Sequence, residues 1–193
     1  MPNHFFALMS RMKNIVRWGL MRNTREENLS EHSLEVAQIA HALALINRKR
    51  FGGDADPNFV AVVSMYHDSS EIITGDMPTP IKYYNDEIKF AYKQIEATAQ
   101  KQLTDMLPED FKEDFEKIYN PDLETNRLVK AADKLSALIK CTEELNIGNK
   151  EFEVAYNSTL NAIKNMNCPE ANVFLEEFIP SFSLSLDEQR NIK

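Results

Sequence analysis

The stretch that decides the fold runs from residue 56 to residue 75, DPNFVAVVSMYHDSSEIITG. An Asp-Pro pair is a typical helix start, because the carboxylate can cap the first turn and the proline nitrogen needs no partner there. The residues up to Tyr66 are apolar on nearly all sides, which predicts one central helix that continues until Gly75 ends it. The His67-Asp68 doublet interrupts this apolar run. A carboxylate buried there would need an interaction partner.

The rest of the chain is also expected to be helical. A helix is predicted over residues 31–48, with Asn28 or Ser30 as its cap, and further helices over 86–106, 108–119, 121–146 and 150–166. Residues 76–81 are expected to form a stiff loop, because Pro78 and Pro80 remove backbone donors. No repeat, low-complexity tract or linker is visible. We therefore expect an all-α, single-domain helical bundle that spans residues 1–193.

Composition limits the classes of function. Glycine and proline are scarce, with 5 and 8 of 193 residues, which disfavours turn-rich sandwiches and glycine-loop nucleotide folds. The net charge of −8 argues against electrostatic binding of nucleic acid polymers or membranes over a large surface, so any phosphate site must be local. The uncharged stretch 36–47 is too short for a membrane span, which needs about 20 residues. Without a signal peptide or a disulfide framework, a cytoplasmic protein is predicted.

Four polar residues next to apolar stripes predict a metal site. His32 lies in SEHS, His67 and Asp68 form the doublet, and Asp133 lies in LVKAADKLSAL. If they meet at one divalent cation, the ion offsets two carboxylate charges and binds two neutral imidazoles, and water can complete an octahedral shell. The absence of thiolates excludes a structural cysteine-zinc site. His41 lies about half a turn away from His32 and is interpreted as a structural histidine.

The order of these residues, H…HD…D, resembles the HD-domain superfamily of metal-dependent phosphohydrolases, which are all-helical. Residues 17–33, RWGLMRNTREENLSEHS, and residues 65–85, MYHDSSEIITGDMPTPIKYYN, are similar to the bacterial 5′-deoxynucleotidase family typified by YfbR. The helix that carries Asp133 shares the similarity. The resemblance extends from HFFALMSRMK near the start to FIPSFSLSLDE near the end of the chain.

The resemblance implies the hydrolysis of deoxyribonucleoside 5′-monophosphates to deoxynucleosides and phosphate by attack of a metal-bound water. It also implies a homodimer with one divalent cation per subunit, such as Co or Mn. The metal ligands that it implies are His32, His67, Asp68 and Asp133. The substrate-binding residues that it implies are Arg17, Trp18, His32, Asp68, Asp76, Met77, Pro78, Thr79 and Asp133.

Individual side chains suit this chemistry. Glu71 follows His67 by four residues, which places it on the same face of the predicted helix as a candidate proton carrier, and Asp68 could share that role. Arg17 can hold a phosphate through two hydrogen bonds. The flat indole of Trp18 can contact a base or sugar and block a ribose 2′-hydroxyl.

Other functions fit the same residues. An HD-type phosphodiesterase or a phosphatase for another nucleotide would share the metal centre, because the pocket walls select the substrate. A two-iron oxygenase would call for additional histidines. In a non-catalytic helical adaptor, His67 and Asp68 would only form hydrogen bonds within the core, and the acidic surface would bind a basic partner.

Overall fold

The computed structural model describes residues 3–82 and 84–190, and only the backbone of Thr79. The described residues are mainly helical, and their only extended pairing is an isolated antiparallel bridge between Val16 and Asn28. The α-helices are α1 (Phe5–Met9), α2 (Leu29–Arg50), α3 (Pro57–Tyr66), α4 (Glu71–Thr74), α5 (Thr79–Lys82), α6 (Asp86–Asp105), α7 (Glu109–Tyr119), α8 (Leu123–Asn146), α9 (Glu153–Lys164), α10 (Pro169–Glu177) and α11 (Leu186–Arg190). Short 3-10 helices span Ser10–Asn14, Lys150–Phe152 and Ile179–Ser183. The predicted all-α class is confirmed.

The chain forms two compact units. The first contains the residues up to Leu34 together with Val62–Pro121, and the second contains Glu35–Ala61 together with the residues from Asp122 onwards. The expectation of a single domain over the whole chain stays a prediction. Within the described residues, no helix combines the length and the apolar character that crossing a bilayer requires.

An aromatic core fixes the end of α3 in the first unit. Phe5 and Phe115 meet edge to face with their ring centroids 4.8 Å apart, and Tyr66 lies 5.1 Å from Phe115. Such pairs add about 1 kcal/mol to the free energy that burying the rings supplies. Because Tyr66 immediately precedes His67, this core also positions the polar doublet.

In the second unit, α8 is the central packing element. One face of the helix is fully buried, and Asp122 caps it by accepting a hydrogen bond from the Thr125 amide at 2.8 Å. The C-terminal segment packs on α8 through the 3-10 helix Ile179–Ser183. Phe174 is buried and stacks on Phe178, with the ring centroids 4.9 Å apart. Of the aromatic residues in the tail, Phe174 therefore contributes to the core of this unit.

The central helix differs from its prediction. It is not continuous to Gly75, because α3 ends at Tyr66 and residues 67–70 form a tight turn before α4. In this turn the Ser69 amide donates to the Tyr66 carbonyl at 3.0 Å, and the Glu71 amide donates to the Asp68 carbonyl at 2.9 Å. Serine side chains compete with helical backbone bonding, and the Ser69 hydroxyl bonds the Tyr119 hydroxyl at 3.0 Å. A tertiary contact therefore helps to hold the break.

The predicted loop at residues 76–81 is partly wrong, because its second half forms α5. The Lys82 amide donates to the Pro78 carbonyl at 3.1 Å, which closes one helical turn. Pro80 lies in the first turn, where a missing backbone donor has little cost. At the start of α2, the Asn28 side chain accepts from the amides of Ser30 and Glu31 at 3.0 and 3.1 Å. Of the two candidate caps, Asn28 therefore occupies the position.

Candidate metal centre

The loop between α1 and α2 holds Trp18 in an unusual conformation. The bridge between Val16 and Asn28 closes the loop, and the Arg17 amide donates to the Glu27 carbonyl at 2.9 Å. Trp18 has a φ of 58°, in the left-handed region that bulky residues rarely adopt. This conformation costs about 1–3 kcal/mol and persists where its surroundings hold it, often at functional sites. One such restraint is the hydrogen bond from the indole Nε1 to Glu27 Oε2, at 2.7 Å.

His32 enters the site from the first turn of α2. It is 1% exposed, and its Nδ1 lies 3.4 Å from Glu27 Oε1. Because a carboxylate only accepts, this contact favours the proton on Nδ1 and leaves the Nε2 lone pair for another ligand. Nε2 faces the Asp68 carboxylate, with Oδ2 at 3.6 Å.

His67 is oriented in the same way by the backbone. Its Nδ1 donates to the Ser64 carbonyl at 2.7 Å, and its Nε2 lies 3.1 Å from Asp68 Oδ2. The turn that ends α3 therefore aims the second imidazole nitrogen at the same carboxylate. A carboxylate or carbonyl behind each imidazole is the usual arrangement around histidines that bind metals.

These three side chains form a group that fits a divalent cation. His32, His67 and Asp68 each offer a ligand atom within 4.8 Å of the others, and the two imidazole rings are 5.5 Å apart. Neutral imidazoles together with a carboxylate oxygen suit Mn, Fe, Co and Zn. His32 from α2 and His67 from the turn after α3 are thus brought together with the carboxylate of Asp68.

Two carboxyl groups near the site have opposite pKa shifts. Burial raises the pKa of Asp68, but His67, His32 and Arg17 outweigh it and hold that pKa well below its usual range. Arg17 Nη1 lies 3.4 Å from Asp68 Oδ2. Burial, followed by the charges of Asp68 and Asp76, raises the pKa of Glu71 to about 9. In the metal-free protein at neutral pH, Asp68 is therefore ionised and Glu71 holds a proton.

Glu71 is also distinguished by its surroundings. It is 4% exposed, and within the described part of the chain its Oε2 has no hydrogen-bond partner. The predicted helical register between His67 and Glu71 is wrong, because the turn at residues 67–70 separates them. The side chain nevertheless lies close enough to Asp68 for the two charges to interact.

Glu27 is the residue that the sequence analysis missed. Burial raises its pKa, but contacts with His32, Arg17 and Trp18 outweigh this, and the net pKa is lowered. The carboxylate is therefore charged at neutral pH. Glu27 lies outside any helix, so no periodicity marks it, and the sequence offers only its position five residues before His32 as a signal.

The remaining predicted residues are placed as follows. Asp76 is half-buried, and burial raises its pKa, while the charge of Arg17 lowers it. Met77 and Pro78 are half-buried in the segment before α5, and the side chain of Thr79 lies outside the described part of the structure. Asp133 is half-buried on α8 in the second unit, and its role as a ligand stays a prediction. The structural histidine, His41, is half-buried on α2.

Comparison with known proteins gives a consistent family. The family model described as 5′-deoxynucleotidase YfbR-like matches residues 4–182. A 5′-deoxynucleotidase of Vibrio parahaemolyticus is 52% identical over 96% of this chain and 97% of its own length. A 5′-deoxynucleotidase of Photorhabdus laumondii is 49% identical, with 96% of each chain covered.

Solved structures agree on the fold. An HD-domain phosphohydrolase from Listeria innocua has a TM-score of 0.79 and 24% identity, over 93% of this chain and 88% of its own. The HD phosphohydrolase DatZ of cyanophage S-2L, which was solved with dA and one catalytic Zn²⁺ ion, has a TM-score of 0.64 and 20% identity, over 91% of this chain and 96% of its own. Since the family model and relatives about half identical cover nearly the whole sequence, the chain belongs to the YfbR-like 5′-deoxynucleotidase family.

Proposed function

We propose that this chain is a metal-dependent 5′-deoxynucleotidase, which hydrolyses deoxyribonucleoside 5′-monophosphates to deoxynucleosides and phosphate. The observation that carries the proposal is the meeting of His32, His67 and Asp68, with both imidazole Nε2 atoms facing one carboxylate oxygen. The names of the relatives support the choice of substrate.

The proposed ligands of the cation are His32, His67, Asp68 and Asp133. Their side-chain types form a set that could hold one ion, with two nitrogen and two oxygen donors. When bound, a divalent cation lowers the pKa of a coordinated water and offsets negative charge on the phosphoryl oxygens. The donor set does not favour one of Co, Mn, Fe or Zn over the others, and cellular supply often decides the metal.

Glu71 is the proposed proton carrier. Asp68 is ionised by its cationic neighbours, which suits a ligand, whereas burial raises the pKa of Glu71 to about 9 and keeps its carboxyl protonated. A protonated carboxyl in a site that excludes water can donate to the leaving 5′-oxygen as the P–O bond breaks. The opposite pKa shifts of the two acids support Glu71 rather than Asp68 for this role.

The proposed substrate contacts come from two connecting segments and from the metal ligands. The Arg17 guanidinium, with only 13% of its side chain exposed, is next to Asp68 and can hold a phosphate through two hydrogen bonds. Trp18 would contact the nucleoside and block a ribose 2′-hydroxyl. Asp76 and the residues after it would contact the sugar, and His32, Asp68 and Asp133 would contact the substrate as well as the metal.

The test combines metal removal with a substrate panel. The purified protein is analysed for metals, stripped with a chelator and restored with Mn²⁺ or Co²⁺, and phosphate release is measured from dAMP, AMP and cyclic nucleotides. We expect activity only after metal is restored, and more of it with dAMP than with AMP. Equal rates before and after stripping would contradict the metal proposal. Activity confined to cyclic nucleotides would favour the phosphodiesterase instead.

Assembly and location are separate proposals. The homodimer with one cation per subunit, the cytoplasmic location and the single domain extending over the whole chain are carried over from the resemblance and the composition. Sedimentation equilibrium combined with metal analysis would test the first of these. A monomer at micromolar concentration, with the metal bound, would contradict the dimer.

A further inference from the structure

Glu27 contacts three side chains that the proposed function uses in different ways. Its Oε1 lies 3.4 Å from Nδ1 of His32, a proposed metal ligand. Its Oε2 accepts from the Trp18 indole at 2.7 Å and lies 3.8 Å from Nε of Arg17. One carboxylate oxygen therefore contacts a proposed metal ligand, and the other contacts two proposed substrate-binding residues.

The carboxylate is not needed to hold the loop backbone. The loop between α1 and α2 is closed by main-chain bonds, from the Arg17 amide to the Glu27 carbonyl and from the Leu29 amide to the Ile15 carbonyl, both at 2.9 Å. Removing the Glu27 side chain leaves these bonds available. Only 14% of that side chain is exposed, so a charge is kept largely out of water where an apolar residue would pack at lower cost.

Both contacts have known physical effects. A carboxylate behind a histidine fixes the ring tautomer and raises the basicity of the nitrogen that binds the metal. A charged acceptor on the indole N–H forms a stronger hydrogen bond than a neutral one. This bond restrains a tryptophan whose backbone φ of 58° is otherwise unfavourable.

We propose that Glu27 is a positioning residue that couples the metal ligand His32 to the nucleoside-contacting Trp18. The inference rests on the proposed function for the roles of those two residues. Through Glu27, the orientation of the imidazole and the position of the indole depend on the same carboxylate. A change at Glu27 alters metal affinity and sugar selectivity together.

Trp18 supplies a readout that does not depend on catalysis, because it is the only tryptophan of the chain. Its fluorescence is recorded in the metal-free protein for the wild type, Glu27→Ala and the control Glu26→Gln. Glu26 is the adjacent, exposed acid. We expect a red-shifted emission maximum and greater acrylamide quenching in Glu27→Ala, because the indole loses its acceptor, and no change in Glu26→Gln.

Metal affinity is the second readout, measured by calorimetric titration of Mn²⁺ into the metal-free proteins. Loss of a carboxylate behind a ligating histidine typically weakens binding about 10- to 100-fold. We expect a weakening in this range for Glu27→Ala and wild-type affinity for Glu26→Gln. The dAMP-to-AMP ratio of kcat/KM should fall in Glu27→Ala and stay constant in the control.

The two deciding readouts are the Trp18 fluorescence and the Mn²⁺ affinity. The proposal is overturned if Glu27→Ala changes only one of them. It is also overturned if the fluorescence is unchanged and the Mn²⁺ affinity stays within twofold of the wild type. If circular dichroism shows that Glu27→Ala does not fold, Glu27→Gln replaces it, and Mn²⁺ affinity within twofold of the wild type then overturns the proposal. Failure of the proposed function has a different signature. A wild-type protein without deoxynucleotidase activity would refute that function, and the fluorescence and Mn²⁺ titrations would still decide the role of Glu27.

Discussion

Two groups of charged and polar side chains, each with a buried carboxyl group, differ in how their charges are stabilised. The Arg127 cluster of the second unit consists of Arg127, Glu124, Glu170 and Asn47. The metal cluster of the first unit consists of His32, His67, Asp68 and Glu71. In the Arg127 cluster, the guanidinium bonds Glu170 at 2.7 and 2.9 Å and Glu124 at 2.6 and 2.9 Å. In the metal cluster, Nε2 of His32 and Nε2 of His67 lie 3.6 and 3.1 Å from Asp68 Oδ2.

The pKa shifts follow the same division. Burial raises the pKa of Glu170, but hydrogen bonds from Arg127 and Asn47 outweigh it and lower that pKa to about 2. In the metal cluster, one carboxyl has its pKa lowered and the other has its pKa raised to about 9. In a structural network the charged groups are paired with one another, whereas in a binding site some polar atoms remain available to a ligand. This difference in pairing and in pKa shifts distinguishes a stabilising polar cluster from a functional one. The following substitutions test the distinction.

The largest effect is expected for Asp68→Asn. Loss of the carboxylate removes a proposed metal ligand and the partner of Arg17, so kcat/KM for dAMP should fall about 1,000-fold, equivalent to about 4 kcal/mol. Mn²⁺ affinity, measured by titration, should fall with it. The control is Asp114→Asn, an exposed acid of the same unit. Retention of more than a tenth of the activity would refute the ligand role.

The next effect is on stability, in the Arg127 cluster. Arg127→Met keeps the aliphatic stem but leaves Glu170 buried without its cation, which should lower the free energy of unfolding by about 3 kcal/mol. Urea titration measures the change. The matched control, Lys101→Met, breaks an exposed ion pair with Asp105 and should change stability by no more than about 0.5 kcal/mol. Equal losses in the two variants would remove the distinction between buried and exposed pairs.

Glu71→Gln should lower kcat about 100-fold, equivalent to about 2.7 kcal/mol, with little change in KM, because the amide cannot give up a proton to the leaving group. Steady-state kinetics with dAMP measure both constants. An unchanged kcat would exclude Glu71 as the proton carrier. Glu116→Gln, at an exposed acid on α7, is the control.

Glu71→Gln should also change the pH dependence of the free energy of unfolding in the metal-free protein. The pKa of Glu71 is raised from 4.5 to about 9 in the folded state. Between these two pH values, Glu71 is therefore protonated in the folded protein and ionised in the unfolded protein. Stability therefore falls as the pH rises through this window, by at most about 1.4 kcal/mol per pH unit from this group. Urea titrations at pH 5, 7 and 9 should show a shallower fall in Glu71→Gln. Parallel curves for the two proteins would contradict the raised pKa.

The smallest effect is expected for Trp18→Ala. Removing the proposed wall against the 2′-hydroxyl should lower the dAMP-to-AMP ratio of kcat/KM about 10-fold, equivalent to about 1.4 kcal/mol. The ratio is measured in one competition assay with both nucleotides. Trp18→Phe, which keeps an aromatic ring, should retain part of the selectivity. An unchanged ratio in Trp18→Ala would remove Trp18 from this role.

Much of the fold could be predicted because its signals are local. The helical spacing of apolar residues, the Asn28 cap and the Pro57 start all act within a few residues along the chain. The break after Tyr66 could not be predicted, because it depends on the aromatic core and on the hydroxyl contact between Ser69 and Tyr119. The prolines of residues 76–81 predict a loop, but α5 forms because Pro80 lies in its first turn, where a proline is tolerated.

By itself, the sequence determined the helical class, the family pattern and the residue types of a metal site. These follow from the residue types and from their spacing along the chain, and tertiary context does not change them. The tertiary structure alone decided that the turn at residues 67–70 aims His67 at Asp68, that Glu71 keeps its proton, and that Glu27 contacts both His32 and Trp18. Orientation and desolvation depend on neighbours that are distant along the chain, and no local pattern encodes them.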